Sequence, residues 1–356
     1  MGRTREAWRM KHDTWQGIKT IEFGLVSCAL RTTYRVFLTI YENRETIMAA
    51  RLFTQSELNK LCLPGEARFL AALESGDKVH AKAVYEDVEK AFREFHDIYI
   101  KWVATILEFL YERHGHEAMA KALSLEGMLA SAFRMGMTLD EVLAAAQSPQ
   151  TRMSALINAE DKAGAKKFYG EIEKACRDLH DFYREWVTAS LSHVYREYGI
   201  EELNQCLRYS SEKGWMPWMM EDITHDVKTR LQDWTRLLAV GNFAVLKIEE
   251  DDEKFVITQD PCGSCGRQHR DGRYDAPWNL AVVKENHPIT FNQGDVTAYR
   301  THIAVMHTIM PIERIGAPWP VIQCSHEKSG TCRIFLYKDP RYAAPEHYAM
   351  VGMHQP

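Results

Sequence analysis

The chain has 356 residues, 46% hydrophobic and 26% charged, a globular composition with length enough for more than one core. Its formal net charge of -5 provides no global basic field, so nucleic acid is not expected as a partner. A small polar molecule is the expected partner, and a homo-oligomer is compatible with the composition.

Near the start, Arg3, Arg5, Arg9 and Lys11 are not followed by a proper apolar region with a cleavage site. The stretch Ile18 to Tyr41 is broken by Lys19, Glu22, Arg31 and Arg35, so no membrane span is expected and the chain reads as soluble and cytoplasmic. Residues 1–76 read as an N-terminal helical segment, punctuated by Pro64-Gly65 before a new helical pattern opens at Ala67.

Residues 77–240 read as a helical domain containing an internal repeat. Residues 77–117 align without a gap on residues 161–201, at an offset of 84, and match at 18 of 41 positions. Both copies have helical apolar spacing, and each reaches a glycine, Gly115 or Gly199, suited to a helix C-terminus. The repeat also keeps a polar stripe. Lys82, Tyr85, Glu89, Arg93 and His96 recur as Lys166, Tyr169, Glu173, Arg177 and His180, at spacings of three and four that put them on one helix face.

Two readings of the stripes follow. They pair across a pseudo-dyad as an ionic and hydrogen-bonded network, or Tyr85, Glu89, Arg93 and His96 with Tyr169, Glu173, Arg177 and His180 line a ligand site. Two glutamates and two histidines seven residues apart also match, in spacing alone, the donors of helical di-iron or di-manganese centres, although the intervening arginines oppose a pair of dications. Between the copies, Gly127 to Ala145 continues a helical pattern. After them, Trp215-Met216-Pro217-Trp218-Met219-Met220 reads as core packing, with a pocket wall as the other possibility, and an amphipathic stretch runs from Ile223 to Leu238.

The period changes at Gly241-Asn242, and residues 241–356 read as a Cys/His-rich metal-binding α/β domain. Phe243 to Glu249 and Lys254 to Thr258 predict a hairpin whose second strand runs into Cys262-Gly263-Ser264-Cys265-Gly266, a zinc-knuckle spacing in which two thiolates chelate one ion from a tight turn. Asp295 to Met310 predicts a short helix, and Arg333 to Tyr337 a closing strand. Eight cysteines in a long chain, half of them at ligand spacing, favour reduced thiols and a metal over a disulfide framework. The simplest zinc site is Cys262, Cys265, Cys324 and Cys332, with His269, His302, His307 and His326 as substitutes. An open site would use His302, with Glu313 or Asp260 orienting it or acting as base. His287, His347 and His354 read as surface residues.

The fold expected is α+β, a duplicated all-helical N-terminal domain followed by a small zinc-binding α/β domain. The function expected is a metal-dependent hydrolase or lyase acting on a small polar molecule where the two domains meet. The rivals are a ligand-sensing or protein-interaction module with a structural zinc, and a helical di-iron or di-manganese oxygenase.

Overall fold

The computed structural model describes residues 51–123, 149–324 and 331–356. The expected helix from Gly127 to Ala145, His326 and everything before residue 51 lie outside the described residues. The architecture is mostly helical with a small antiparallel sheet, an α+β arrangement. Among the described residues no helix is long and apolar enough to cross a membrane.

The helical part comprises α1 (Gln55–Leu61), α2 (Gly65–Glu74), α3 (Lys78–His114), α4 (His116–Leu123), α5 (Pro149–Asn158), α6 (Lys162–Lys213), α7 (Trp215–Asp222) and α8 (Val227–Arg236). The two copies of the repeat fall on α3 and α6, and each starts on an aspartate cap. Asp77 accepts from the amides of Val79 and His80, and Asp161 from that of Gly164, which satisfies donors that the first helical turn leaves unpaired. The two helices then bury apolar stripes of Ala81, Tyr85, Val88 and Phe92 in one and Ala165, Phe168, Tyr169 and Ile172 in the other. From α2, Phe69 stacks on Tyr169 at 5.1 Å and meets Tyr85 edge-on at 5.7 Å, so one ring joins both copies.

Each copy breaks at its glycine. Gly115 (φ 84, ψ 180) and Gly199 (φ 86, ψ -177) hold nearly the same left-handed conformation, which an L side chain adopts only under strain. No neighbour lies within 4 Å of a side chain built at Gly199, so Gly199→Ala is expected to cost backbone strain alone, about 1–3 kcal/mol. Chemical denaturation reads this directly, and an unchanged midpoint would show that the break relaxes freely.

The sheet has strand order β1-β2-β6-β5, built from β1 (Leu246–Glu250), β2 (Lys254–Gln259), β5 (Val321–Cys324) and β6 (Cys332–Tyr337), all neighbours antiparallel. The predicted hairpin is β1–β2, and the predicted closing strand is β6 in the interior of the sheet. Register puts Gln259 opposite Cys332 and Cys332 opposite Cys324, which makes one row on one face, while Ile257, Ile334 and Ile322 form the row beside it. A two-stranded ribbon, β3 (Val282–Val283) with β4 (Val296–Thr297), and the short helices α9 (Cys265–Arg270), α10 (Met310–Ile315) and α11 (Pro345–Ala349) complete this part.

The expected helix from Asp295 to Met310 is a composite. It contains β4, a 3-10 turn over Ala298–Arg300 and a π-helical segment over Ile303–Ile309 that continues into α10. A second π-helical segment, Leu237–Gly241, follows α8. Such wide turns are rare and are found frequently at functional sites.

Candidate metal centre and its chamber

The knuckle is fixed from below before any thiol is considered. A side chain on Gly263 would lie 1.6 Å from the Asn242 carbonyl oxygen, so only glycine lets the turn approach that backbone. From α6, the wholly buried Arg184 reaches the carbonyls of Gly263 and Ser264 at 3.4 Å, and Asp181 at 3.1 Å. Arg267 of α9 pairs with Asp181, Arg273 with Glu185, and Gln268 donates to Thr188 at 2.7 Å. Burial, which pushes the Asp181 carboxyl up, is outweighed by the charges of Arg184 and Arg267, and its pKa ends well below the usual carboxylate range.

On this platform three buried thiols, Cys262, Cys265 and Cys332, lie within 4.8 Å of one another, close enough to hold one metal ion. Cys265 Sγ is 3.7 Å from Cys262 Sγ and 3.8 Å from Cys332 Sγ, matching the edge of about 3.8 Å that four bonds of about 2.3 Å give a tetrahedral thiolate site. The strand register brings a further thiol, Cys324, beside this group of three, its Sγ 2.6 Å from that of Cys332 and so nearer than a tetrahedral edge. A hydrogen bond from Cys262 holds the Cys265 thiol down, one from Cys265 lowers Cys324, and the shared bond with Cys265 pushes Cys262 up to about 11. Arg300 is 5% exposed beside these sulfurs; burial, which lowers its basicity, is outweighed by the charges of Cys265 and Cys324.

A cavity of about 110 Å³ lies directly against the cluster, and Cys262, Cys265, Cys324 and Cys332 are all part of its wall. Its other walls include Trp102 from α3, Trp215 and Trp218 from α7, Trp234 from α8, and His302 and His307, at the start of and within the π-helical segment Ile303–Ile309. A second cleft of about 440 Å³ shares Ile98, Trp102, Trp215, Trp218 and Leu237 with it and bears Asp97, Lys101, Asp222 and Arg236. Trp215 and Trp218 are therefore pocket walls, whereas Met216 and Met219 of the same segment pack in the core.

The two histidines share one construction. His302 Nδ1 bonds to the Tyr299 carbonyl, and His307 Nδ1 to the Trp319 carbonyl at 3.0 Å. A carbonyl only accepts, so each Nδ1 carries the proton and each neutral ring keeps its lone pair on Nε2. Burial pulls His302 down to about 3 and His307 to about 4, which leaves both uncharged at neutral pH.

Several expected assignments are corrected here. Glu313 does not orient His302: it is engaged by Arg208 through two bonds of 2.8 Å, and Asp260 is engaged by Arg270. The stripe arginines pair along their own helices, Arg93 with Glu89 and Arg177 with Glu173, because a four-residue spacing brings each pair together before the other helix can compete. Tyr85 and Tyr169 do meet through Phe69, but the histidines diverge. His96 packs edge-on to Tyr183, while His180 Nε2 donates to Asn242 Oδ1 at 2.9 Å, which also receives the Ser264 hydroxyl at 2.7 Å. Glu89, His96, Glu173 and His180 form no donor group among the described residues, where the cysteine cluster is the one found, so the di-metal geometry is absent there. His347 is buried and receives the Tyr337 hydroxyl, against its expected place on the surface.

Gln259 and Arg184 were not singled out by the sequence. The alternation Phe255, Ile257, Gln259 along β2 carried a signal for the first, since it aims Gln259 inward. No family model matches the chain, and comparison with curated proteins and with solved structures gives no match either. The class defined by the fold and site is thus an α+β protein with a buried, metal-competent thiol cluster facing an aromatic chamber.

Proposed function

We propose that the protein is a zinc-dependent enzyme in which Cys262, Cys265 and Cys332 hold the ion, leaving its fourth position open, and a small polar molecule is transformed, by hydrolysis or elimination, in the chamber beside it. The observation that carries this reading is that the thiol cluster and two uncharged histidines border one cavity. Thiolate donors suit zinc, which when bound supplies a Lewis acid. In this reading the chain's own residues bind and orient: the carbonyls of Tyr299 and Trp319 fix the rings, Nε2 of each accepts a hydrogen bond from the substrate, and the indoles exclude water. With its basicity so low, His302 serves as a positioning acceptor rather than a proton store. The helical half is taken as a duplicated unit of residues 77–240 and the remainder, 241–356, as the zinc domain.

A second reading, a sensing or interaction module with structural zinc, is favoured by the position of Cys324, which brings a fourth thiol to close the site. His302→Ala separates the two. The enzyme reading expects metal content to stay near one ion per chain while turnover falls at least tenfold, as loss of one positioning hydrogen bond of about 1.4 kcal/mol or more requires. Loss of metal together with fold would instead make His302 part of the ion's shell.

A further inference from the structure

We infer that the chamber selects a small, flat, uncharged molecule carrying both N–H donors and a carbonyl-type acceptor, the chemistry of a cyclic urea, a small lactam or an azole. This rests on the reading of the chamber as the substrate site and adds the substrate's class. Size comes first. At about 110 Å³ the space is somewhat smaller than the roughly 150 Å³ cavity that takes benzene, so a single five-membered ring is the natural occupant. The indoles of Trp102, Trp215, Trp218 and Trp234 favour a flat one.

Charge comes next. Among the described residues that line the chamber none is Asp, Glu, Lys or Arg, so an ion would find no charged side chain apart from the thiol cluster itself. An ordinary apolar ring is equally ill suited, because the wall carries unpaired polar atoms. Gln259 is 3% exposed and its Oε1 has no hydrogen-bond partner, and the Nε1 atoms of Trp102, Trp215 and Trp234 are buried donors with none. With the lone pairs on His302 and His307 Nε2, residues lining the same small space carry both acceptors and donors. Each buried polar group left unpaired is costly, so a ligand that supplies both complements is preferred over an isosteric hydrocarbon.

The experiment is titration of the full-length, metal-containing protein, followed by its tryptophan fluorescence, with 2-imidazolidinone and pyrazole against cyclopentanone, which lacks a donor, and benzene. Saturable binding of 2-imidazolidinone or pyrazole at least tenfold tighter than either control is expected, and Gln259→Leu and His307→Phe should each weaken it fivefold or more. Equal or tighter binding of benzene or cyclopentanone, or no saturable response from any of the four, overturns the inference. The comparison among ligands on the unaltered protein decides the matter even where a variant fails to fold. Because binding is read without turnover, an inactive protein that still prefers the donors would sink only the enzymatic reading.

Discussion

Cys265→Ser is expected to release the metal and unfold the sheet region, the largest single-residue effect in the molecule. Cys265 is the hub of the cluster, with Cys262 Sγ at 3.7 Å and Cys332 Sγ at 3.8 Å. The elements it joins are small: a six-residue helix, a four-stranded sheet and a knuckle whose backbone is pressed against Asn242. An ion bridging them is worth about 10–16 kcal/mol in the smallest zinc domains, comparable with the whole stability of about 5–15 kcal/mol of an ordinary domain. Losing it therefore exceeds what the hydrophobic rows of the sheet can replace. Elemental analysis beside limited proteolysis checks this: about one zinc per chain in the native protein, none in the variant, with cleavage appearing after residue 241. A variant that keeps its metal and its protease resistance would rule out Cys265 as a ligand and with it the zinc proposal.

How far the sequence led can be traced through particular residues. The hairpin and the Cys262/Cys265 pair were legible because both are local. Alternation marks the strands, and the two-residue spacing is itself the chelate geometry. Cys324 and Cys332 were named as ligands, but only the antiparallel register explains why residues eight apart face each other. The stripes misled because identity between repeats says that residues are kept without saying against what. A glutamate four residues before an arginine satisfies it locally, so these two ion pairs stay on their own helices. The chamber was hidden altogether. Its walls come from α3, α7, α8, the sheet and two π-helical segments, and no periodicity in any one stretch announces a convergence of six. Trp215 and Trp218 illustrate the point, since an indole wall and an indole core have the same spacing and differ only in whether the far side is filled.

Arg184 gives the second large effect, and it tests what supports the knuckle from below. Its counterpart at the same repeat position is Ile100, which is 40% exposed, while Arg184 is fully buried beneath the knuckle. Around it three cations, Arg184, Arg267 and Arg273, are balanced by three anions, Asp181, Glu185 and Asp271. Arg184→Met keeps the apolar stem but leaves two cations for three carboxylates and removes the only guanidinium bonded to the Gly263 and Ser264 carbonyls among the described contacts. Breaking a buried set from one side typically costs about 3–5 kcal/mol, because the partner charge stays desolvated. Lys284→Met is the control. Lys284 also pairs with a carboxylate, Asp295, but the two side chains are 70% and 74% exposed, so about 0–1 kcal/mol is expected. Urea denaturation of both variants reads the difference. If Arg184→Met costs no more than Lys284→Met, the knuckle does not depend on α6 for its support, and the platform beneath the thiols must be carried by the Asn242 contact and the sheet alone.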